Sequence, residues 1–146
     1  MSNENDLSEK LASSFTLRPA RQEDYPYAEA LYVNTMQPLL SALGAWDETD
    51  ALTKFRSYFK PEEIKVITLY GSDIGYLQVV RSKDSLSLDQ IHIEPPYCGR
   101  GIGTALIEGL LDEGRASGRP VLLSFAKHNI AQALYERLGF QVVSID

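Results

Sequence analysis

Between an apolar segment and an amphipathic one, the chain reads Tyr97-Cys98-Gly99-Arg100-Gly101-Ile102-Gly103-Thr104. The apolar segment has the pattern of a strand and ends at residues 93–96, and the amphipathic one has the pattern of a helix. Three glycines at alternate positions remove the Cβ atoms that would hinder close backbone approach, and a helix beginning here points its unpaired N–H groups outward. This turn is therefore predicted to bind an anion, and we expect a pyrophosphate.

Two other glycine-rich phosphate loops fit the segment less well. A P-loop requires Gly-Lys-Ser/Thr, which is missing, and the third glycine of a Rossmann fingerprint falls on Leu106. The acidic residue that a Rossmann fold carries about twenty positions further on is also missing. Taken alone, the loop is compatible with a tight strand-to-helix connection that binds nothing.

A second motif lies at residues 129–140 and reads Asn129-Ile130-Ala131-Gln132-Ala133-Leu134-Tyr135-Glu136-Arg137-Leu138-Gly139-Phe140. It predicts a short helix that Asn129 caps and Gly139 ends. Its apolar residues recur at helical spacing, at Ile130, Leu134 and Leu138. The caps and the period thus indicate the same helix.

Together, the two motifs resemble the GNAT superfamily of acetyl-CoA-dependent N-acetyltransferases. The family's loop pattern Gln/Arg-x-x-Gly-x-Gly/Ala falls on residues 98–103, and its pattern Asn-(x)-Ala-Leu-Tyr-x-x-Leu-Gly-Phe falls on residues 129–140. The chain departs from the family at Cys98, where Gln or Arg is usual. It departs again at its end, because family members commonly finish with a hairpin of two strands and this chain stops at Asp146 after one. We expect the unpaired edge either to pair with a second chain, giving a homodimer, or to belong to a rearranged sheet end.

The resemblance implies an α/β fold of the GNAT type: a mixed, mostly antiparallel sheet with a central parallel βαβ unit, flanking helices and an incomplete C-terminal hairpin. The local patterns agree with this fold. They predict strands at residues 15–19, 63–70, 74–81, 86–93 and 121–125, and helices at residues 24–36, 50–59 and 101–117. The segment at 71–73 predicts a hairpin, and the crossover helix makes the last strand parallel to the one before it.

The strand at 86–93 changes phase in its middle. Apolar residues stand at Leu86 and Leu88 and resume at Ile91 and Ile93, so the alternation slips by one position at Asp89-Gln90. Such a slip predicts a β-bulge, which re-aims side chains and frees backbone groups. The resemblance implies a bulge in this same strand, beside the acetyl group. The alternative is that the strand simply begins late, at Asp89 and Gln90.

Composition limits the domain count and the partners. The chain has 146 residues, of which 44% are hydrophobic, and this is enough for one domain with a core. We expect a flexible lead-in at residues 1–14 and a single domain at residues 15–146.

The net charge of -6 argues against nucleic acid or an anionic membrane as a partner. One cysteine and no long apolar run favour a cytoplasmic protein, and the scattered histidines and cysteine offer no metal-ligand spacing.

The resemblance also implies how acetyl-CoA is held. The diphosphate would lie on the backbone amides of the loop, and the pantetheine arm would enter between two splayed strands at residues 91–93 and 122–124 and pair like an added strand. Positioning of this kind is a large share of catalysis. The cofactor-binding residues that follow from the resemblance are Ile91, Ile93, Cys98, Gly99, Arg100, Gly101, Ile102, Gly103, Thr104, Asn129 and Tyr135.

Acetyl transfer to an amine requires an acid, an oxyanion site and a base. Tyr135 matches the family tyrosine that protonates the departing thiolate, and the oxyanion would lie on the N–H near Ile93. The alternative is that Tyr135 is an ordinary half-buried aromatic residue.

Some relatives carry a glutamate base where this chain has Ser124. The remaining candidate bases are Asp89, which we prefer, and His92, Glu94 and His128. Cys98 at a helix N-terminus could form a thiolate nucleophile, but the family transfers the acetyl group directly.

The acceptor is expected to contact residues 36–55, between the first two helices, with Gln37 and Trp46 as candidate substrate residues. Carboxylates there could steer a cationic amine, although an acidic helix cap beside a core tryptophan explains the same residues equally well. The predicted function is the transfer of an acetyl group from acetyl-CoA to a primary amine of a small molecule or peptide, by direct attack in a ternary complex. The main alternative is a CoA-binding or sensor module without turnover, and a weaker one is another acyl group or an alcohol acceptor.

Overall fold

The structure, a computed structural model, describes residues 14–123. Its strands are β1 (Phe15–Pro19), β2 (Ile64–Leu69), β3 (Ser72–Arg81), β4 (Leu86–Ile93) and β5 (Val121–Leu123), and its α-helices are α1 (Tyr25–Ala42), α2 (Glu48–Tyr58) and α3 (Ile102–Ser117). Most of the predicted lead-in, the helix predicted at residues 129–140 and the C-terminal strand lie outside the described residues. Within the described part of the chain, no helix is long and apolar enough to cross a membrane.

The five strands form one sheet in the order β1-β2-β3-β4-β5. The first three junctions are antiparallel, and β5 pairs parallel to β4 through the crossover helix α3. The prediction of a mostly antiparallel sheet with one parallel βαβ unit is therefore confirmed. A hairpin is present here as predicted, but its connection is the two residues Tyr70-Gly71, not the three residues 71–73, because Ser72 and Asp73 already pair with β2.

Helix α1 is longer than the sequence pattern predicted. The predicted helix ended at residue 36, before Pro38, and this end was wrong, because α1 continues through Pro38 to Ala42. Pro38 removes one N–H donor from the helix but leaves its later turns intact. The helix ends at Ala42, and the chain turns away two residues later at Gly44, whose φ of 69° is left-handed. The Ala45 N–H then donates to the Leu40 carbonyl at 2.8 Å.

Two clusters of buried side chains cover the two sides of the sheet. The first packs α3 against the sheet and includes Leu77, Val79, Leu86, Leu88, Ile102, Leu106, Ile107 and Leu110. The second packs α1 and α2 against the sheet and consists of Ala28, Leu31, Tyr32, Ala51, Phe55, Ile64 and Tyr76. Because side chains alternate along a strand, Leu77 contributes to the first cluster and its neighbour Tyr76 to the second. We call the side of the sheet that carries the second cluster the aromatic face.

The bulge predicted in β4 is confirmed. Gln78 of β3 lies opposite Gln90, whereas the next residue, Val79, lies opposite Leu88. Asp89 is the extra residue between these two pairs. The inserted residue restores the phase, so that Ile91 packs against the first cluster as Leu88 does, on the α3 side of the sheet.

Candidate active site

The glycine loop turns β4 into α3 through two left-handed residues. A single turn of 3-10 helix at Pro95–Tyr97 follows β4, and α3 begins at Ile102 with Gly101 as its N-cap. Gly99 has φ 74° and Gly101 has φ 86°, a backbone region that glycine adopts without strain. An added Cβ at Gly99 would meet no atom within 4 Å, so glycine is required there for its backbone conformation and not for lack of space.

The same loop presents a row of unused backbone donors. Within residues 14–123, the N–H groups of residues 99–104 donate to no acceptor, and the first bond of the helix runs from the Ala105 N–H to the Gly101 carbonyl at 3.0 Å. These amides lie at the positive end of the helix dipole. The Arg100 Nε donates to the Pro96 carbonyl at 3.0 Å, which holds its guanidinium against the loop. The arrangement can bind an anion as large as a diphosphate.

Cys98, at the departure from the family pattern, points back toward β4. Its thiol donates to the Ile93 carbonyl with 3.3 Å between Sγ and oxygen, and the Glu94 carbonyl lies 3.7 Å from the same sulfur. Burial raises the pKa of the Cys98 thiol above its usual value. The residue is exposed, but a thiol that stays protonated is a poor nucleophile.

The backbone of β4 beyond the bulge has its polar groups directed away from β3. The Glu94 N–H donates to the Ile74 carbonyl at 2.8 Å, and in an antiparallel pair every second residue makes such bonds. The N–H and C=O groups of Ile91 and Ile93 therefore point to the side of the sheet where β5 lies. The described ladder between β4 and β5 covers Leu86–Leu88 and Val121–Leu123, so within the described residues these outward groups have no strand partner.

His92 lies on the aromatic face and is buried, with 7% of its surface exposed. Its Nδ1 lies 2.6 Å from the Thr35 hydroxyl oxygen on α1, and its Nε2 lies 2.7 Å from the Gln90 Oε1. The rings of Tyr32 and Tyr76 flank the imidazole at centroid distances of 5.6 and 5.1 Å. Burial lowers the pKa of His92 to about 4. With both nitrogens hydrogen-bonded, His92 has no free lone pair with which to accept a proton from an amine.

The two carboxylates among the candidate bases have different surroundings. Asp89, at the bulge, accepts a hydrogen bond from the Ser87 hydroxyl at 2.7 Å. Glu94, at the end of β4, accepts one from the Tyr27 hydroxyl at 2.5 Å. Burial and the neighbouring Glu94 raise the pKa of the Tyr27 phenol, which therefore stays protonated and donates to the carboxylate. Glu94 is thus hydrogen-bonded to a residue of α1, whereas Asp89 is hydrogen-bonded to a residue two positions earlier on its own strand.

The two candidate substrate residues lie in different environments. Gln37 lies on α1 and is exposed, and it is not part of a connecting segment as the sequence pattern suggested. Trp46 is half-buried and packs against the second cluster. Its neighbour Asp47 is the N-cap of α2 and accepts a hydrogen bond from the Asp50 N–H at 2.9 Å. These contacts match the alternative of an acidic cap beside a core tryptophan.

Sequence reasoning missed three residues that contact the candidate site: Tyr27, Thr35 and Gln90. Tyr27 and Thr35 lie on α1, far along the chain from β4, and no local pattern links the two segments. Asn129, Tyr135, Ser124 and His128 lie outside the described residues. Among residues 14–123, no group of three or more metal-ligating side chains is present.

Comparison with protein families identifies the class of protein. The sequence model of the Acetyltransferase (GNAT) domain matches residues 60–142, which is more than half of the chain. The chain therefore belongs to the GNAT acetyltransferase family, as the two motifs predicted. An uncharacterized N-acetyltransferase of Methanocaldococcus jannaschii is 27% identical over 79 residues, a match that covers 53% of this chain and 35% of that relative. The chain thus spans about a third of the length of this curated relative.

Solved structures confirm the fold. The PaiA N-acetyltransferase of Thermoplasma acidophilum, solved in complex with coenzyme A, has a TM-score of 0.70 at 16% identity, over 91% of this chain and 93% of that one. A GCN5-related N-acetyltransferase of Rhodopseudomonas palustris has a TM-score of 0.66 at 23% identity, over 91% and 85% of the two chains. The putative acetyltransferase YycN of Bacillus subtilis has a TM-score of 0.67 at 21% identity, over 90% and 95%. All three have the fold described here.

Proposed function

We propose that this GNAT family member transfers an acetyl group from acetyl-CoA to the primary amine of a small molecule or peptide. The observation that carries the proposal is the row of amides at residues 99–104, which have no acceptor within the described residues. They follow a strand whose Ile91 and Ile93 backbone groups point away from β3. The coenzyme A complex of the Thermoplasma acidophilum neighbour supports the choice of ligand.

In the proposed reaction the diphosphate lies on the loop amides and the pantetheine arm pairs with the outward groups of Ile91 and Ile93. The amine nitrogen attacks the thioester carbon, a C–N bond forms, and the oxyanion accepts a hydrogen bond from the Ile93 N–H. When the C–S bond breaks, Tyr135 donates its proton to the thiolate. Asp89 accepts the proton that the amine loses, directly or through water. Asp89 suits this role because it is half-buried at the bulge and, within residues 14–123, its Oδ2 accepts no hydrogen bond.

The charge of -6 and the single cysteine support a cytoplasmic enzyme that uses no nucleic acid or membrane as its partner. A homodimer is part of the proposal too, because within the described residues the outer strands β1 and β5 each pair with a strand on one side only, and such an edge favours pairing with a second chain. Sedimentation velocity tests the dimer, and a single species of about 16.3 kDa would contradict it.

The alternative function is a sensor that binds CoA without turnover. One contact favours it: the Cys98 thiol occupies the Ile93 carbonyl that the pantetheine arm would otherwise use. A sensor and an enzyme differ in a single measurable property, the release of free CoA in the presence of an amine.

Thermal melting with acetyl-CoA and with CoA tests the ligand, because a molecule that binds the folded chain raises the melting temperature by mass action. ADP at the same concentration is the control, since it carries the diphosphate without the arm. We expect a rise with acetyl-CoA and CoA that exceeds the rise with ADP. Absence of a rise at high acetyl-CoA would contradict both the enzyme and the sensor.

The release of free CoA with a panel of amines then separates enzyme from sensor. Tyr135→Phe is expected to keep the melting shift and to lower turnover by about 100-fold, since proton donation contributes on this order. Unchanged turnover in this variant would remove Tyr135 from the mechanism. Binding without CoA release for every amine would favour the sensor.

A further inference from the structure

Three side chains form a continuous hydrogen-bonded row across the aromatic face, from α1 to the bulge of β4. The Thr35 hydroxyl oxygen lies 2.6 Å from the His92 Nδ1, and the His92 Nε2 lies 2.7 Å from the Gln90 Oε1. The middle member is buried between the rings of Tyr32 and Tyr76, so water does not compete for its nitrogens. The row ends at Gln90, which is half-buried.

The Gln90 carboxamide gives the row a direction. Its oxygen, which can only accept, lies 2.7 Å from the His92 Nε2, so that nitrogen carries the ring proton and donates it. A neutral imidazole has one donor and one acceptor, so Nδ1 is the acceptor and faces the Thr35 hydroxyl at 2.6 Å. The Tyr32 carbonyl oxygen, 3.2 Å from the same hydroxyl, is the competing acceptor for the Thr35 proton. In this arrangement the Gln90 carboxamide has its oxygen toward the interior.

This orientation leaves the Gln90 amide nitrogen with two unused donors. Within the described residues, its NH₂ group donates to no acceptor. The nitrogen is not among the buried unsatisfied atoms, so it is open to solvent, and an oxygen atom of a bound molecule can take the place of water there. Gln90 directly precedes Ile91, whose backbone we assigned to the acetyl-CoA arm.

Asp89 provides a complementary group on the same side of the sheet. Its carboxylate accepts from Ser87, two residues earlier, and Gln90 accepts from His92, two residues later. Residues two apart share a face of a strand, and because Asp89 is the extra residue of the bulge, the two pairs lie on the same face. The consecutive residues Asp89 and Gln90 thus carry a carboxylate and a carboxamide NH₂, one able to accept from an amine and the other able to donate to an oxygen.

We propose that Gln90 is a specificity-determining residue, which donates to a carbonyl or carboxylate oxygen on the carbon next to the acceptor amine. His92 and Thr35 are positioning residues that hold its carboxamide in the donating orientation. The acceptor class is then α-amino acids, their amides and peptide N-termini, and not polyamines. This inference rests on the proposed acetyltransferase function.

Matched pairs of amines test the inference in the full chain. The two members of each pair differ by a carboxamide group on the carbon that bears the amine. The pairs are leucinamide and isoamylamine, tyrosinamide and tyramine, and lysinamide and cadaverine. For each pair, the preference is the ratio of the two kcat/KM values measured from CoA release. Because the amines also differ in basicity, the preference of each variant is divided by that of the wild type, which cancels this difference.

We expect Gln90→Leu to lower the preference for the amino-acid amide by about 10-fold, the loss that one hydrogen bond produces. The change should appear mainly as a higher KM for the amide. Thr35→Val is expected to lower the preference in the same direction, and Thr35→Ser, which keeps the hydroxyl, is expected to restore it. If Thr35 only stabilised the fold, Thr35→Val and Thr35→Ser would not differ in their preference between the paired amines. The acetyl-CoA melting shift should persist in all three variants, which shows that they fold.

Two outcomes would overturn the inference while the proposed function stands. One is an unchanged preference in Gln90→Leu. The other is a wild-type enzyme that acetylates isoamylamine, tyramine or cadaverine but none of the three amino-acid amides. A wild-type chain that shows no melting shift with acetyl-CoA would instead overturn the proposed function, and the inference with it.

Discussion

Gly75 on β3 lies so close to the His92 carbonyl on β4 that a Cβ atom at position 75 would stand 2.3 Å from that oxygen. The same atom would lie 3.1 Å from the Ile93 Cα. Both obstacles are backbone atoms of the neighbouring strand, which cannot move without opening the sheet. Glycine at this position therefore sets the spacing between β3 and the segment of β4 that carries the candidate site.

We expect Gly75→Ala to lower the free energy of unfolding by about 3 kcal/mol, at the upper end of what overpacking a core produces. Urea unfolding measures this change. Gly109→Ala is the control, because an added Cβ there meets no atom within 4 Å in the exposed middle of α3. That substitution should stabilise the helix by about 0.5–1 kcal/mol. Equal effects of the two substitutions would contradict the close approach at Gly75.

The buried imidazole of His92 predicts a loss of stability in mild acid. Burial lowers its pKa from 6.5 to about 4, so between these values the unfolded chain binds a proton that the folded chain does not. Stability is then fully present above about pH 6.5 and falls as the pH is lowered toward 4, by roughly 3 kcal/mol in total. Urea unfolding at a series of pH values measures the slope.

The control for this slope is His92→Gln, which has no group that titrates in the window. The fold lowers the pKa values of the carboxyl groups of Asp24 and Glu113, so their stabilising effect is lost only when the pH falls below their usual pKa values of 3.8 and 4.5. Most of the pH range in which His92 changes the stability lies above these values. A slope in His92→Gln equal to that of the wild type would show that another group is responsible.

Two tyrosine hydroxyls predict opposite effects of the same substitution. The Tyr76 hydroxyl is buried and has no hydrogen-bond partner among residues 14–123, and its pKa is raised by that burial. Tyr76→Phe should therefore leave the protein as stable as before or stabilise it by about 1 kcal/mol, because the buried polar atom is removed. Tyr27→Phe loses the hydrogen bond to Glu94 and should destabilise it by about 1.5 kcal/mol.

Thermal and urea unfolding of the two variants side by side check this contrast. A Tyr76→Phe variant that is less stable than Tyr27→Phe would mean that the Tyr76 hydroxyl has a partner in the folded chain.

The Cys98 thiol is predicted to react slowly with iodoacetamide at neutral pH, because burial raises its pKa and the thiolate is the reactive form. The pH dependence of alkylation, followed by mass spectrometry, should have its midpoint above that of free cysteine. Acetyl-CoA should slow the reaction further if it occupies the loop beside Cys98. A midpoint below that of free cysteine would indicate a stabilised thiolate at the helix N-terminus and would contradict the contact with the Ile93 carbonyl.

Local sequence patterns determined most of the fold. The glycine loop, the hairpin between β2 and β3, the parallel crossover and the bulge at Asp89 each follow from short-range patterns, and each is present in the structure, although the hairpin connection is one residue shorter than predicted. Such features are readable because the spacing of apolar residues and the conformational freedom of glycine act within a few residues of the chain. The glycine loop and the motif at residues 129–140 were enough to indicate the family.

The tertiary structure alone decided which groups meet at the site. Thr35 and His92 are 57 residues apart, and Tyr27 and Glu94 are 67 apart, so their hydrogen bonds depend on how α1 packs on the sheet and leave no trace in local periodicity. The end of α1 was misplaced for a related reason, since Pro38 signals a local break that the longer helix tolerates. The sequence by itself determined the elements and the glycine loop. The packing of α1 on β4 decided that His92 is buried and hydrogen-bonded and that, within residues 14–123, the Gln90 amide nitrogen donates to no acceptor.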